Sequence, residues 1–313
     1  MARFLLFRTA GLLLLLMLAS LVIFFSLELA PGDAAAQALG ERATPQMLTQ
    51  LRHEYGLDSP AGERYLHWLS GVLHGNGGYS LLTDLPVSEV VIPAAQRSAL
   101  LAACAGMVML LVGMGAGMVA AAYRGQWLDK LLSALALIGV SMPEFIVATL
   151  LILLFAVGLG WLPAISLAPL DASIAERWRG LVLPALTLGL VASGYLLRMV
   201  RATLLNVMTL PHVTSARLNG IRGRALWGDH ILPIAAGPLA QIIASTLPYL
   251  FGGAIVVERV FGYPGMGELL LNAFHARDTA LLQGIAMLLA LVTAACWFMA
   301  DVLARVSDPW RRR

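Results

Sequence analysis

The stretch HVTSARLNGIRGRALWGDHILP, residues 212–233, lies between two long apolar runs and is the most informative part of this sequence. It predicts a short helix that ends at Gly220, because glycine readily adopts the left-handed conformation that follows a helix. Pro233 then falls in the first turn of the next apolar helix, where a missing N–H costs little. An arginine-rich helix–turn–helix element beside apolar runs is suited to contact a partner protein.

The chain around this stretch is too apolar for a water-soluble fold. Its 313 residues are 59% hydrophobic and 12% charged, whereas a soluble domain is about 45–50% apolar and about 25% charged. A membrane-spanning helix needs about 20 apolar residues, because the hydrocarbon core is about 30 Å thick. We therefore predict an all-α integral membrane protein with about six transmembrane helices, at Thr9–Leu29, Ala99–Tyr123, Leu131–Val157, Leu181–Leu197, Ile231–Val257 and Ala280–Leu303.

The distribution of basic residues predicts the orientation of these helices. With the N-terminus inside, the inner segments hold more than half of the 21 Lys and Arg residues and few acids, as the positive-inside rule requires. The net charge of +3 is thereby explained without nucleic acid, and both termini are expected to be cytoplasmic. The inner basic residues are Arg3, Arg8, Arg124, Lys130, Arg198, Arg201, Arg217, Arg222, Arg224, Arg305, Arg311, Arg312 and Arg313.

Three parts follow along the chain. Residues 1–30 are predicted to form a retained first helix, because the apolar core is longer than that of a signal peptide, the alternative interpretation. Residues 31–97 are predicted to form a small external cap, with one helix beginning at Thr44-Pro45 and another near Glu63–Leu73, before the glycine-rich stretch 75–78. Residues 98–313 would form a five-helix core that includes a cytoplasmic loop over about 198–230.

The loop resembles the EAA loop of ABC importer permeases. In that pattern Glu-Ala-Ala is followed by three residues, Gly, nine residues, Ile, one residue and Leu-Pro. This sequence matches the pattern at Ala216, Gly220, Leu232 and Pro233, and departs from it at Thr214, Ser215 and His230. The resemblance implies that the ATPase is contacted by Thr214, Ser215, Ala216, Arg217, Asn219 and Gly220. The departure at Thr214 removes a carboxylate that would pair with a basic group on the ATPase.

A second stretch, GGAIVVERVFGYPGMG at residues 252–267, resembles the dipeptide/oligopeptide/nickel permease family, with Tyr263 in place of the usual Trp. Tyr263-Pro264-Gly265 is a turn signal. Glu258 and Arg259 are expected to be hydrated at the outer end of the fifth helix. The resemblance implies an external gate that includes Glu258, Tyr263, Pro264, Gly265 and Gly267.

The resemblance also implies the architecture and the partners. It implies a type I ABC importer permease fold in the bacterial inner membrane, with no catalytic residue and no cofactor bound by this chain. No GxxxxGK[ST] motif is present, so ATP is expected on partner ATPase subunits. The implied partners are a second permease subunit that forms a heterodimer, two ATPase domains or subunits, an external substrate-binding protein and the lipid bilayer, with no nucleic acid.

The cargo is predicted from fewer residues. Glu144 lies inside the third apolar stretch, where a carboxylate costs about 2.5–3.5 kcal/mol unless it faces a cavity or a partner. Glu144 and Met142 are therefore candidates for the translocation path, and a structurally paired Glu144 is the alternative. The residues around His212 resemble those of the first permease subunit in the nickel-type branch of the family. We therefore predict that the cargo is nickel or a chelated transition metal. The residues that would bind this metal are unknown.

The alternatives to this cargo and to this class remain open at this point. A dipeptide or oligopeptide importer is the alternative cargo within the same family. A secondary transporter or channel is a less favoured class, because it would need several intramembrane acids or repeated halves, and the sequence offers only Glu144 and no visible repeat.

Overall fold

The computed structural model describes residues 2–29, 44–47, 49, 59–80, 83–167 and 173–306. These described residues form helices and turns and contain no β-sheet. An isolated β-bridge pairs Tyr79 with Pro86. The helices are α1 (Ala2–Glu28), α2 (Ala61–Leu73), α3 (Val87–Met109), α4 (Gly115–Ala122), α5 (Trp127–Ser141), α6 (Glu144–Leu151), α7 (Ile174–Met208), α8 (Pro211–Leu218), α9 (Gly223–Ala225), α10 (Leu232–Phe261), α11 (Met266–Ala276) and α12 (Thr279–Val306).

The described helices confirm the predicted number of spans. Five continuous helical runs are long and apolar enough to cross a membrane, and the bent pair Trp127–Ser141 with Glu144–Gly158 gives a sixth when it is counted as one span. Several spans are longer than predicted: the second covers Val87–Ala122, joined by a π-helical turn at Leu110–Met114, and is 36 residues long. At about 1.5 Å per residue this run is longer than the hydrocarbon core is thick, about 30 Å. The hydropathy prediction began at Ala99 and missed the more polar residues with which the helix starts.

The third span is broken rather than continuous. α5 and α6 meet at an angle of 108°, and Met142 between them has an extended backbone. Pro143 causes the break, because a proline lacks an N–H and disfavours helical geometry in the residue before it. The break places Glu144 in the first turn of α6.

One compact unit comprises the described residues between 99 and 263 together with residues 295–306. α7 is its central helix, because 78% of its most apolar window is buried. Glycines let neighbouring helices approach α7 closely: a Cβ at Gly189 would lie 2.7 Å from the Ala105 carbonyl oxygen, and one at Gly194 would lie 2.9 Å from that of Ala136. Buried leucines of α7, including Leu188, fill the space between the helices.

The other compact unit comprises the described residues up to 98 together with residues 264–294. Its apolar core joins the start of α3 to α11 and α12, through residues such as Val87, Met266 and Ile285. Ser80 and Asp278 strengthen this packing, because the buried Asp278 carboxylate accepts a 2.6 Å hydrogen bond from Ser80 Oγ and caps α12 through the Leu281 N–H.

The predicted external segment is described in part. Thr44 caps the first turn of its predicted helix, since Thr44 Oγ1 accepts from the Met47 N–H at 3.3 Å, while most of that helix lies outside the described residues. The second predicted helix is confirmed as α2, and Gly75 and Gly78 after it have φ values of +79° and +85°. The predicted three-part division of the chain stays a prediction, and residues 264–294 group by contacts with the N-terminal part.

Candidate functional site

The long loop between the fourth and fifth spans forms a defined helix and turn. α8 begins at Pro211, which suits the first helical position. It ends at Leu218, and Gly220 two residues later has the predicted left-handed conformation, with a φ of +84°. The Ile221 N–H donates to the Ala216 carbonyl at 3.1 Å, and the Gly220 N–H donates to that of Arg217 at 3.0 Å. This pair of hydrogen bonds is a Schellman motif, which satisfies carbonyls that the end of a helix leaves unpaired.

α8 is held on the protein by one face. Val213 and Ala216 are buried, and both belong to the apolar cluster that contains Leu226 and Ile231. Ala216 was predicted to contact the ATPase together with its neighbours, but its side chain is turned into the chain's own core. Its small size lets α8 lie close to the following π-helical turn, Leu226–Ile231, and contact of Ala216 with an ATPase stays a prediction.

The opposite face of the loop is open and basic. The other predicted coupling residues are exposed, namely Thr214, Ser215, Arg217, Asn219 and Gly220. Arg217, Arg222 and Arg224 are also exposed and make no ion pair with any residue that the structure describes. The Thr214 hydroxyl donates to the Leu210 carbonyl of its own helix at 3.3 Å. The loop therefore offers guanidinium groups to a partner and keeps its threonine hydroxyl within α8.

An ion pair that the sequence did not reveal braces the end of α7 that leads into this loop. Arg201 donates to both oxygens of Asp129, from Nε at 2.5 Å and from Nη2 at 2.8 Å. Asp129 is buried and also accepts from the Gly125 N–H at 2.9 Å. Arg201 was predicted only as one of the basic residues of the inner segments, and Asp129 only as one of their few acids. The sequence pattern that could have indicated this ion pair is an acid at the start of one apolar stretch and an arginine near the end of another.

The break in the third span places Glu144 beside α10. The Tyr249 hydroxyl donates to Glu144 Oε1 at 2.6 Å. Glu144 and Met142 are both partly exposed. These two predicted path residues lie on either side of Pro143, at the bend. Tyr249 was not predicted as a site residue, because 105 positions separate it from Glu144 and a tyrosine in an apolar helix is common.

The predicted gate residues divide between the two compact units. α10 ends at Gly262, whose φ of +60° permits the turn, and the Tyr263 N–H donates to the Glu258 carbonyl at 2.8 Å. Glu258 was expected to be hydrated, and this expectation is wrong because its side chain is fully buried within α10's packing. Arg259, its neighbour, is exposed as expected.

The rest of the predicted gate belongs to the unit that contains residues 264–294. Arg97 donates to the Pro264 carbonyl at 3.2 Å, and the Met266 N–H donates to Ser98 Oγ at 2.7 Å. These contacts fix the start of α11, whose N-terminal residues Gly265 and Gly267 are buried. Arg97 and Ser98 were not predicted, because nothing in their local sequence indicates such partners.

Comparisons with known proteins agree over nearly the whole chain. Residues 113–313 match the family model described as "Binding-protein-dependent transport system inner membrane component". Residues 1–83 match the model of the N-terminal part of such membrane components. A putative peptide transport system permease protein of Brucella abortus is 33% identical over 302 residues, which is 96% of each chain. The glutathione transport system permease protein GsiC of Escherichia coli K12 is 31% identical over 302 residues, again 96% of each chain.

The fold is shared with a solved transporter. The MetNI methionine ABC transporter, in an inward-facing conformation, gives a TM-score of 0.59 at 19% identity, over 70% of this chain and 96% of that chain. This similarity confirms the predicted type I importer permease fold. The chain therefore belongs to the family of inner-membrane components of binding-protein-dependent transport systems, as a non-catalytic permease subunit of an ABC importer whose ATPase is a separate subunit.

Proposed function

We propose that this permease imports a peptide-like cargo. The observation that carries the proposal is the 33% identity, over 96% of both chains, to a protein named as a peptide transport system permease. A glutathione permease of similar identity supports the same class of cargo, since glutathione is itself a small peptide. The comparisons therefore favour the alternative cargo over the predicted nickel, and the family assignment replaces the secondary transporter or channel.

Nickel or a chelated metal stays a prediction that rests on the sequence around His212. Among the residues that the structure describes, no group of three or more His, Cys, Asp or Glu side chains is placed to hold a metal ion. The described structure thus offers no observation that favours a metal over a peptide.

The basic face of the loop is the surface that we propose for coupling to the ATPase. Thr214, Ser215, Arg217, Asn219 and Gly220 lie on or beside this face, with the loop in the cytoplasm. Ala216 would contribute by packing α8 against the apolar core of the chain. The partner groove on the ATPase would carry carboxylates, because a guanidinium binds a carboxylate through paired hydrogen bonds. This face has three exposed arginines for such bonds, and position 214 carries no acid. ATP-driven movement of the ATPase would reach the spans through α8 and the adjoining helices.

The remaining partners are proposed from the permease architecture. A second, different permease subunit would complete the pathway, and an external binding protein would deliver the cargo to the side that carries α2. Glu258, Tyr263, Pro264, Gly265 and Gly267 would form part of the outer gate. Both termini would lie in the cytoplasm.

The test of the cargo is an uptake experiment on a deletion strain. We expect loss of the chain to abolish uptake of labelled glutathione or of labelled di- and oligopeptides. Cellular nickel, cobalt and zinc at limiting supply should stay at the parental level, and a plasmid copy of the gene should restore uptake. Loss of nickel with normal peptide uptake would reject the peptide proposal in favour of the metal prediction. Normal uptake of both would reject both cargoes.

A further inference from the structure

Exposed apolar side chains flank Glu144 along the chain. Glu144 is partly exposed, and Phe145 beside it is 51% exposed. Val140, one turn before the break, is 42% exposed. A carboxylate on a surface that faced lipid would cost several kcal/mol. This face of the broken span must therefore be covered by a partner or lined by water, and its carboxylate is available there.

Tyr249 fixes the position of one oxygen of the Glu144 side chain. Its hydroxyl donates one hydrogen bond, to Oε1 at 2.6 Å, and no cationic side chain among the described residues pairs with Glu144. The position of Glu144 in the first turn of α6 adds a favourable interaction with the positive end of the helix. Oε2 makes no hydrogen bond with any residue that the structure describes, so it can accept one from a ligand.

Gly253 allows this arrangement. A Cβ at Gly253 would come within 2.9 Å of Leu188 Cδ1 on α7, and it would lie 3.7 Å from both Glu144 Oε1 and Tyr249 Cζ. The glycine thus lets α10 lie close to α7 and keeps the space beside the carboxylate open. Tyr249, one turn earlier on α10, is brought to Glu144 by the same close approach.

From this geometry we propose that Glu144, positioned by Tyr249, is a cation subsite that binds the ammonium group of a peptide as it passes through the permease. A protonated amine donates short, charge-assisted hydrogen bonds to a carboxylate, and every unmodified peptide carries such an amine at its N-terminus. The inference rests on the proposed peptide cargo, and it names the part of the peptide that the permease recognises.

The test uses the complete transporter, with its binding protein and ATPase, in proteoliposomes. One labelled peptide is compared with its N-acetylated form, each at a concentration that saturates the binding protein. Glu144→Gln should lower import of the free peptide about ten-fold, the size expected for loss of a hydrogen-bonded charge partner, and change import of the acetylated peptide less than about two-fold. Tyr249→Phe should cause a smaller loss of the same selectivity. Glu89→Gln, which removes an exposed carboxylate of α3, is the matched control.

The outcomes separate the two proposals. Equal losses for both peptides in Glu144→Gln, or no loss for either, would overturn the subsite. A wild-type complex that imports neither peptide would instead contradict the peptide cargo. If the wild type carries only the free peptide, Glu144→Asp decides: recovery of at least half of the import lost in Glu144→Gln supports a charge requirement, and equal losses in the two variants overturn it.

Discussion

At the scale of single residues, Gly220 tests whether the geometry of the loop matters for transport. Its φ of +84° disfavours a β-branched side chain by about 1–3 kcal/mol, although a Cβ there would meet no atom within 4 Å. We expect Gly220→Val to reach the membrane at the normal level but to abolish transport and its coupling to ATP hydrolysis. The measurement is import, together with ATPase activity stimulated by the loaded binding protein, in purified complexes.

The matched control is Gly220→Asn. Asparagine adopts the left-handed conformation more readily than other residues with a Cβ, so this variant should keep most of the transport. If both variants fail equally, the exposed surface at position 220 matters more than its backbone. Full transport by Gly220→Val would contradict the role proposed for the loop.

Which residues the sequence could assign depends on how far their partners lie along the chain. Gly220 and Thr44 were predicted correctly, because a helix end or cap is decided within a few positions. The inward side chain of Ala216, the buried Glu258 and the partners of Asp129 and Glu144 were not predicted. Each of these depends on a helix that is distant in sequence, and a single sequence does not show which helix faces which.

At the scale of helices, hydropathy predicted the number of spans but not their limits. A window of apolar residues identifies the part that suits lipid, whereas helical hydrogen bonds continue into polar residues. α7 shows this, since it begins seven positions before the predicted Leu181, at a capping box made by Ser173 and Glu176. The third span was predicted as one apolar stretch, and the structure shows a bend of 108° within it, at Pro143.

Close packing around α7 gives a prediction about stability. A Cβ at Gly189 would lie 2.6 Å from Val108 Cβ and 2.7 Å from the Ala105 carbonyl oxygen, so α3 and α7 would have to separate. We expect Gly189→Ala to destabilise the protein by about 1–3 kcal/mol, as overpacking does. The measurement is the midpoint of thermal unfolding of the purified protein in detergent.

The control for this prediction is the same substitution, glycine to alanine, at a position with free space around the added Cβ. A Cβ at Gly115 would meet nothing within 4 Å, and alanine is favoured over glycine in a helix by roughly 0.5–1 kcal/mol. Gly115→Ala should therefore leave the midpoint unchanged or raise it. A midpoint for Gly189→Ala equal to that of Gly115→Ala would show that the helices separate without cost.

At the scale of the whole molecule, the orientation in the membrane links the charge pattern to the proposed mechanism. The proposed coupling surface requires the basic loop to lie in the cytoplasm, because an ABC importer takes its energy from ATP there. α2 should then lie on the outer side, within reach of a binding protein. Single cysteines at exposed positions, Arg222→Cys in the loop and His67→Cys on α2, test this arrangement after Cys104 and Cys296 are replaced by alanine.

In spheroplasts, a membrane-impermeant maleimide should label the His67→Cys variant at once and the Arg222→Cys variant only after the membrane is opened. The physical reason is the cost of moving arginine-rich segments across the bilayer, which keeps such loops inside. Both variants must first be shown to reach the membrane at the level of the cysteine-free parent, and His67→Cys must keep its transport, so that labelling reports the inserted protein. Labelling of Arg222→Cys in sealed spheroplasts would place the loop outside. The guanidinium groups of Arg217 and Arg224 would then be unable to meet an ATPase, and the coupling surface would have to be sought among the segments that remain inside.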